Sequence, residues 1–109
     1  MKNPNNAHIK LTIIPNTTTP NEITNGEIWF SHSQSGGGTF TLTAKITDSN
    51  DYEKELYTQT QEYSPHAVHQ LTFNFLSPEI PGLYKVIAAV SAADEELESY
   101  EANLLVRVE

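Results

Sequence analysis

The chain has 109 residues, 38% of them apolar, with six basic and fourteen acidic side chains and no cysteine. That length suits one domain spanning 1–109, and the apolar share supports a thin core; the missing thiols exclude disulfides, cysteine nucleophiles and cysteine-based zinc sites. A net charge of −8 opposes the basic face that nucleic acid demands, and no apolar run nears the roughly 18 residues of a membrane span.

After Met1 and Lys2 come Asn3, Pro4, Asn5 and Asn6 rather than an apolar leader, so no signal peptide is read and residues 1–6 are expected to be loose. From there period-two alternation dominates and sustained helical spacing is nearly absent. Ala7–Ile14 puts Ile9, Leu11 and Ile13 on one face, and a long Thr/Asn/Pro loop, Pro15–Asn25, follows. Gly26–His32 puts Ile28 and Phe30 together and ends in the Ser33–Gly38 connection, which holds three successive glycines. Thr39–Thr47 alternates Phe40, Leu42, Ala44 and Ile46 with polar partners, and Asp48-Ser49-Asn50-Asp51 makes a tight turn. Tyr52–Thr60 is a weaker, edge-like segment with Tyr52, Leu56 and Thr58 on one side. Val68–Leu76 carries Leu71, Phe73 and Phe75; two prolines and a glycine then break the chain over Ser77–Gly82. Leu83–Ala92 carries Tyr84, Val86, Ala88 and Val90 inward, and Tyr100–Val108 carries Tyr100, Ala102, Leu104, Val106 and Val108. Between these two, Ala92–Tyr100 is the one helix-compatible stretch, too short to stand alone.

Seven short strands with turns every 8–12 residues predict an all-β, seven-stranded immunoglobulin-like or fibronectin-type-III-like sandwich. The expected arrangement puts the first, second and fifth segments in one sheet and the fourth, third, sixth and seventh in the other. Tyr84, after Pro81-Gly82-Leu83, occupies the place of a tyrosine corner, its hydroxyl satisfying a backbone group of the preceding connection.

Pro81-Gly82-Leu83-Tyr84-Lys85-Val86-Ile87-Ala88-Ala89-Val90 resembles the Pro-Gly-x-Tyr-x-Val-x-Ala-x-Val strand of bacterial extracellular immunoglobulin-like modules. Leu97-Glu98-Ser99-Tyr100-Glu101-Ala102-Asn103 is similar to the ending of the CARDB family, the cell-adhesion-related domain of bacteria and archaea. Ser91 and Leu104 stand where that pattern has an aspartate and a second asparagine. The resemblance implies a non-enzymatic module of a secreted or surface protein, used as spacer or adhesion unit.

Residue chemistry agrees in lacking a catalytic motif. Nucleophile elbows, phosphate loops and paired metal motifs are absent, and Gly36-Gly37-Gly38 is not followed by a helix whose dipole could hold phosphate. No catalytic residue and no cofactor is expected. Three histidines are the weak metal candidates. His32 ends its strand and His66 and His69 begin theirs, so cross-strand reach between His32 and His69 is expected, with the acidic Asp94-Glu95-Glu96 turn at the same pole. Asp48, Asn50, Asp51 and Glu53 offer oxygens for calcium, but an ordinary turn explains the same residues.

Surface apolar residues carry the interaction reading. Alternation forces Ile87 and Ala89 outward, and Leu105 is expected beside them as a modest patch. Trp29 points away from Ile28 and Phe30, either as a sugar or protein contact or packed under the Pro15–Asn25 loop. The expected partner is a protein or neighbouring domain, with a monomer or weak dimer and no nucleic acid or membrane. The alternatives are a carbohydrate-binding accessory module and a free-standing intracellular interaction or chaperone-like protein. A larger surface or secreted chain is the expected setting, and the cytoplasm if the domain stands alone.

Overall fold

The computed structural model describes residues 6–34 and 38–108. Its elements are β1 (His8–Ile14), β2 (Thr17–Thr18), β3 (Ile23–Ser31), β4 (Gly38–Thr47), β5 (Glu53–Tyr63), β6 (His69–Leu76), β7 (Gly82–Ala92) and β8 (Glu95–Val106). They form a sandwich of a three-stranded sheet, ordered β1-β3-β6, and a five-stranded sheet, ordered β2-β8-β7-β4-β5. The expected partition of the seven segments holds, while the described residues contain eight strands. Among them there is no helix, and so none long and apolar enough to cross a membrane.

The eighth strand comes from the expected Pro15–Asn25 loop. Thr17 and Thr18 run parallel to Leu105 and Val106, and no side-chain alternation marks them. Two backbone bonds hold the contact: the Leu105 N–H donates to the Asn16 carbonyl at 2.9 Å and the Arg107 N–H to the Thr18 carbonyl at 2.7 Å. A cis Ile14–Pro15 peptide lies between β1 and β2. The helix-compatible stretch Ala92–Tyr100 is instead a hairpin. Ala93 and Asp94 both take positive φ, 51° and 65°, the left-handed pair that tight hairpins require, and β8 starts at Glu95. Gly36 and Gly37, with residues 1–5 of the segment 1–6 expected to be loose, lie outside the described residues; Gly38 opens β4.

The core sits between the sheets. Ile9, Leu11 and Ile13 of β1, Ile28 and Phe30 of β3, Phe40, Leu42, Ala44 and Ile46 of β4, Tyr84, Val86, Ala88 and Val90 of β7, and Leu104 and Val106 of β8 are all buried. Four expected core positions behave otherwise. Val108 lies beyond β8 and is exposed, Tyr100 is exposed although it faces Ala88 in register, and Leu71 and Phe75 are only half-buried. The three-stranded sheet does not reach over Tyr100 on the wider one, whereas Leu71 and Phe75 lie on β6, which among the described residues is an edge strand. Tyr63, beyond the expected Tyr52–Thr60 segment, is buried at the end of β5 against Phe30.

One glycine is required by a close approach. Gly26 pairs with Phe73 across β3 and β6, and the Phe73 ring lies where a Cβ would stand, 2.2 Å from that position. The ring folds over the glycine and stacks on Tyr57 of the opposite sheet at 5.3 Å.

Candidate functional site

The strands run between two poles. At one lie the end of β1, the starts of β3, β5 and β7, and the ends of β4, β6 and β8; Tyr84 marks it. At the other lie the end of β3, the start of β6 and the β7–β8 turn, with His32.

The Tyr84 pole is built by side chains that fix backbone. Asp48 Oδ1 accepts from the N–H of Asn50 at 2.8 Å and of Tyr52 at 3.0 Å, which closes the turn, and Asp51 takes a left-handed φ of 66°. The residues read as calcium candidates therefore form a self-closing Asx turn. Ser77, fully buried, ties two loops together: its hydroxyl donates to the Thr19 carbonyl at 2.6 Å and accepts from the Glu22 N–H at 2.8 Å. Tyr84 donates to the Ile80 carbonyl at 2.5 Å, the expected corner. Burial first, then the Asp48 carboxylate and Tyr52, push the Tyr84 phenol above its ordinary pKa, which keeps that donor protonated.

These fixed loops enclose a groove of about 540 Å³. Tyr52, Leu76, Pro78 and Ile80 give it apolar surface; Asp48, Asn50, Lys54 and Glu79 give it hydrogen-bonding and charged groups. The Tyr52 ring stands edge-on to Tyr84 at 5.8 Å and is 38% exposed. Around the groove the pole is unusually apolar at its surface. Of ten exposed large apolar side chains, eight belong to this pole: Ile14, Ile23, Tyr52, Leu76, Ile80, Leu83, Leu105 and Val108. Ile23 faces Leu76 across β3 and β6, and Leu83 faces Leu105 across β7 and β8, so each sheet contributes one apolar cross-strand pair.

Sequence reasoning missed this site because its parts come from three separate connections. Apart from Leu105, Tyr84 and the Asp48–Asp51 turn, the residues it did single out lie elsewhere. Ile87 is flanked in register by Lys45 and Glu101, and Ala89 by Thr43 and Ser99. Leu105 faces Leu83 four residues away from Ile87 along β7, so the three do not form one contiguous patch. Trp29 is half-buried on the outer face of the three-stranded sheet between Lys10 and Gln70. The Pro15–Asn25 loop does not cover it, because that loop pairs with β8 at the Tyr84 pole.

The histidines take structural places. His32 is buried; its Nε2–H donates to the Tyr63 carbonyl at 2.7 Å and its Nδ1 accepts from the Gln34 N–H at 3.1 Å, so both nitrogens are used. His69 faces Phe30 rather than His32 and donates to the Ser64 carbonyl at 2.9 Å. His66 reaches His32 only through backbone, its N–H donating to the His32 carbonyl at 2.8 Å. Among the described residues no three His, Asp or Glu side chains are grouped to hold a metal.

No family model matches the chain, and no curated protein matches it in sequence. Solved structures do match its fold. The CARDB domain of a Pyrococcus furiosus protein, solved in complex with di-metal ions, superposes with a TM-score of 0.76 at 17% identity, covering 96% of each chain. A β-glucosidase from Erythrobacter marinus gives 0.73 at 9% identity, over 94% of this chain and 16% of the enzyme. The sporulation control protein of Bacillus subtilis gives 0.67 at 13% identity, over 94% of this chain and 50% of that one. The chain therefore has the fold of a CARDB domain, and in the larger neighbours that fold is a part of the whole.

Proposed function

We propose that this chain is a non-enzymatic immunoglobulin-like module of a larger surface or secreted protein, and that it holds a protein neighbour at the Tyr84 pole. The observation that carries the reading is the concentration of exposed apolar side chains there, eight of ten in the described chain. Isolated exposed apolar residues are ordinary; a cluster ringed by polar groups marks contact surface. The loops beneath it are pinned by Ser77, Asp48 and Tyr84, so a partner meets a preformed surface. Those same bonds commit the Ser77 and Tyr84 hydroxyls to backbone, which supports binding rather than catalysis.

Amide exchange tests the pole. It is measured on the module alone and within its complete protein, with its natural partners. Slower exchange over residues 76–84 and 104–108 in the complete setting is expected; identical exchange there would remove the pole as the contact surface.

One observation favours a second reading, a carbohydrate-binding accessory module. Tyr52 presents a partly exposed ring beside Asp48, Asn50, Lys54 and Glu79, the mixture of stacking face and hydrogen-bonding groups that sugars use. Glycosidases among the fold neighbours give that reading a setting. Titration with β-linked glucose oligomers, followed at the Tyr52 ring by NMR, separates the two: saturable shifts support the sugar, and their absence leaves the protein contact.

A further inference from the structure

We propose that the free edge of β6 pairs antiparallel with β6 of a second copy, across a two-fold axis at Thr72, so that the two three-stranded sheets join into one of six strands.

Exposed sheet edges are normally guarded by charge, bulges or cover. β5 carries Glu53, Lys54, Glu55 and Glu62 and a register break opposite Ala44 and Lys45. β8 carries Glu95, Glu96, Glu98 and Glu101 on its open length, and β2 covers its end. β1 carries His8 and Lys10 and packs against β8. β6 has no such charge or break, and its cross-sheet packing, on β5, is slighter than that of β1 on β8. Its eight residues, His-Gln-Leu-Thr-Phe-Asn-Phe-Leu, contain no charged side chain, proline or glycine, and their register with β3 is unbroken. Among the described residues, β6 has strand pairing on its β3 side alone.

The sequence of this edge identifies the occupant. From Val68 to Leu76 it is a chemical palindrome about Thr72. In a two-fold antiparallel pair, residues whose numbers sum to 144 face each other. Val68 then meets Leu76, His69 meets Phe75, Gln70 meets Asn74, Leu71 meets Phe73, and Thr72 meets its own copy. All but one pair match in kind, His69 with Phe75 setting ring against ring, and every pair shares a face, as the period-two rule requires. The match also uses what the single chain leaves open: Val68 and Leu76 are 70% and 59% exposed, and Leu71 and Phe75 are half-buried. Shifting the register by two residues sets Gln70 against Leu76 and loses it.

Charge selects the same surface. The chain carries −8, so two copies repel over most of their area. On the strands of the three-stranded sheet, Lys10 and Glu27 are the charged residues, and they cancel. An eight-residue edge buries well under the roughly 1,600 Å² of a standard interface, so the pair is weak and salt, by screening the remaining repulsion, strengthens it.

The test is sedimentation equilibrium of the full chain from micromolar to millimolar concentration, at low and high salt. The expected result is a monomer at the low end and a dimer at the high end, favoured by salt. Thr72→Lys sets like charges face to face at the axis and should weaken the dimer at least about tenfold with an unchanged melting temperature. The register is tested separately: Gln70→Lys with Asn74→Glu should keep the dimer, and Gln70→Lys with Asn74→Lys should lose it. Because the chain has no cysteine, Thr72→Cys gives an independent trap and should oxidise to a covalent dimer much faster than Ala89→Cys on the other sheet. A monomer at millimolar concentration in high salt overturns the proposal. So does a dimer indifferent to Thr72→Lys, or equal behaviour of the two Gln70/Asn74 pairs.

Discussion

The two sheets of this sandwich solve the same folding problem with different surfaces. On the three-stranded sheet charge cancels, and one ring, Phe73, is folded over the bare backbone of Gly26. On β4, β5, β7 and β8, Lys45, Lys54 and Lys85 stand against Glu53, Glu55, Glu62, Glu95, Glu96, Glu98 and Glu101, a balance of −4. The wider sheet also overhangs the narrower one. Where it is covered its inner positions are Phe40, Leu42 and Val86; where it is not they are Gln59, Gln61, Glu98 and Tyr100. Burial along a strand thus follows the reach of the opposite sheet as much as the strand's own alternation.

That contrast can be broken most sharply at Phe73. Phe73→Ala should cost about 3–5 kcal/mol in denaturant unfolding, since it empties the space between Gly26 and Tyr57. Gly26→Ala should cost about 1–3 kcal/mol, because the ring must leave its place for the new methyl group. The double change should cost less than the sum, the two sites sharing one contact. Next in size is Tyr84→Phe, which leaves the Ile80 carbonyl without its donor and should cost about 0.5–1.5 kcal/mol.

Tyr63→Phe should go the other way. Among the described residues the Tyr63 hydroxyl is buried without a hydrogen-bond partner, so its removal should leave stability unchanged or raise it by up to about 1 kcal/mol. Burial first, and Tyr57 second, push this phenol from 10.0 up to about 12. The unfolded chain therefore loses the proton first as pH rises. The stability this group contributes is whole below pH 10 and lost as pH climbs to about 12. Tyr57 and Tyr84, also raised by burial, add to the same alkaline slope, and Tyr63→Phe should flatten it in unfolding curves at pH 9 to 11.5. The smallest effect is expected on the overhang: Gln59→Ala should change stability by less than about 0.5 kcal/mol, despite its inward phase.

How much was legible in the sequence follows from range. Alternation within a strand is local, and it placed seven segments; the common sandwich arrangement then gave their partition into sheets, and Pro81-Gly82-Leu83 gave the Tyr84 corner. β2 escaped because two backbone bonds to a strand almost ninety residues away define it, and Thr17 and Thr18 carry no pattern of their own. The β7–β8 turn escaped because Ala93 and Asp94 adopt positive φ without glycine or asparagine to announce it. The Tyr84 groove is the least legible part. Ser77 looks like any turn serine until Thr19 and Glu22, far away in sequence, are brought to its hydroxyl. The histidines were half legible for the same reason: proximity at one pole was readable, but the commitment of both His32 nitrogens to backbone was not.

The parallel contact of β2 with β8 has a mechanical consequence. The described chain enters at the His32 pole and leaves at the Tyr84 pole, and β2 and β8 run the same way. Tension between the chain ends draws these two strands past each other. The bonds from Leu105 to Asn16 and from Arg107 to Thr18 lie across that motion, so they are loaded together in shear rather than opened one after the other. A two-residue strand thereby becomes a clasp on the end of β8, sharing the load there with the β7 pairing of Leu105 and Val106.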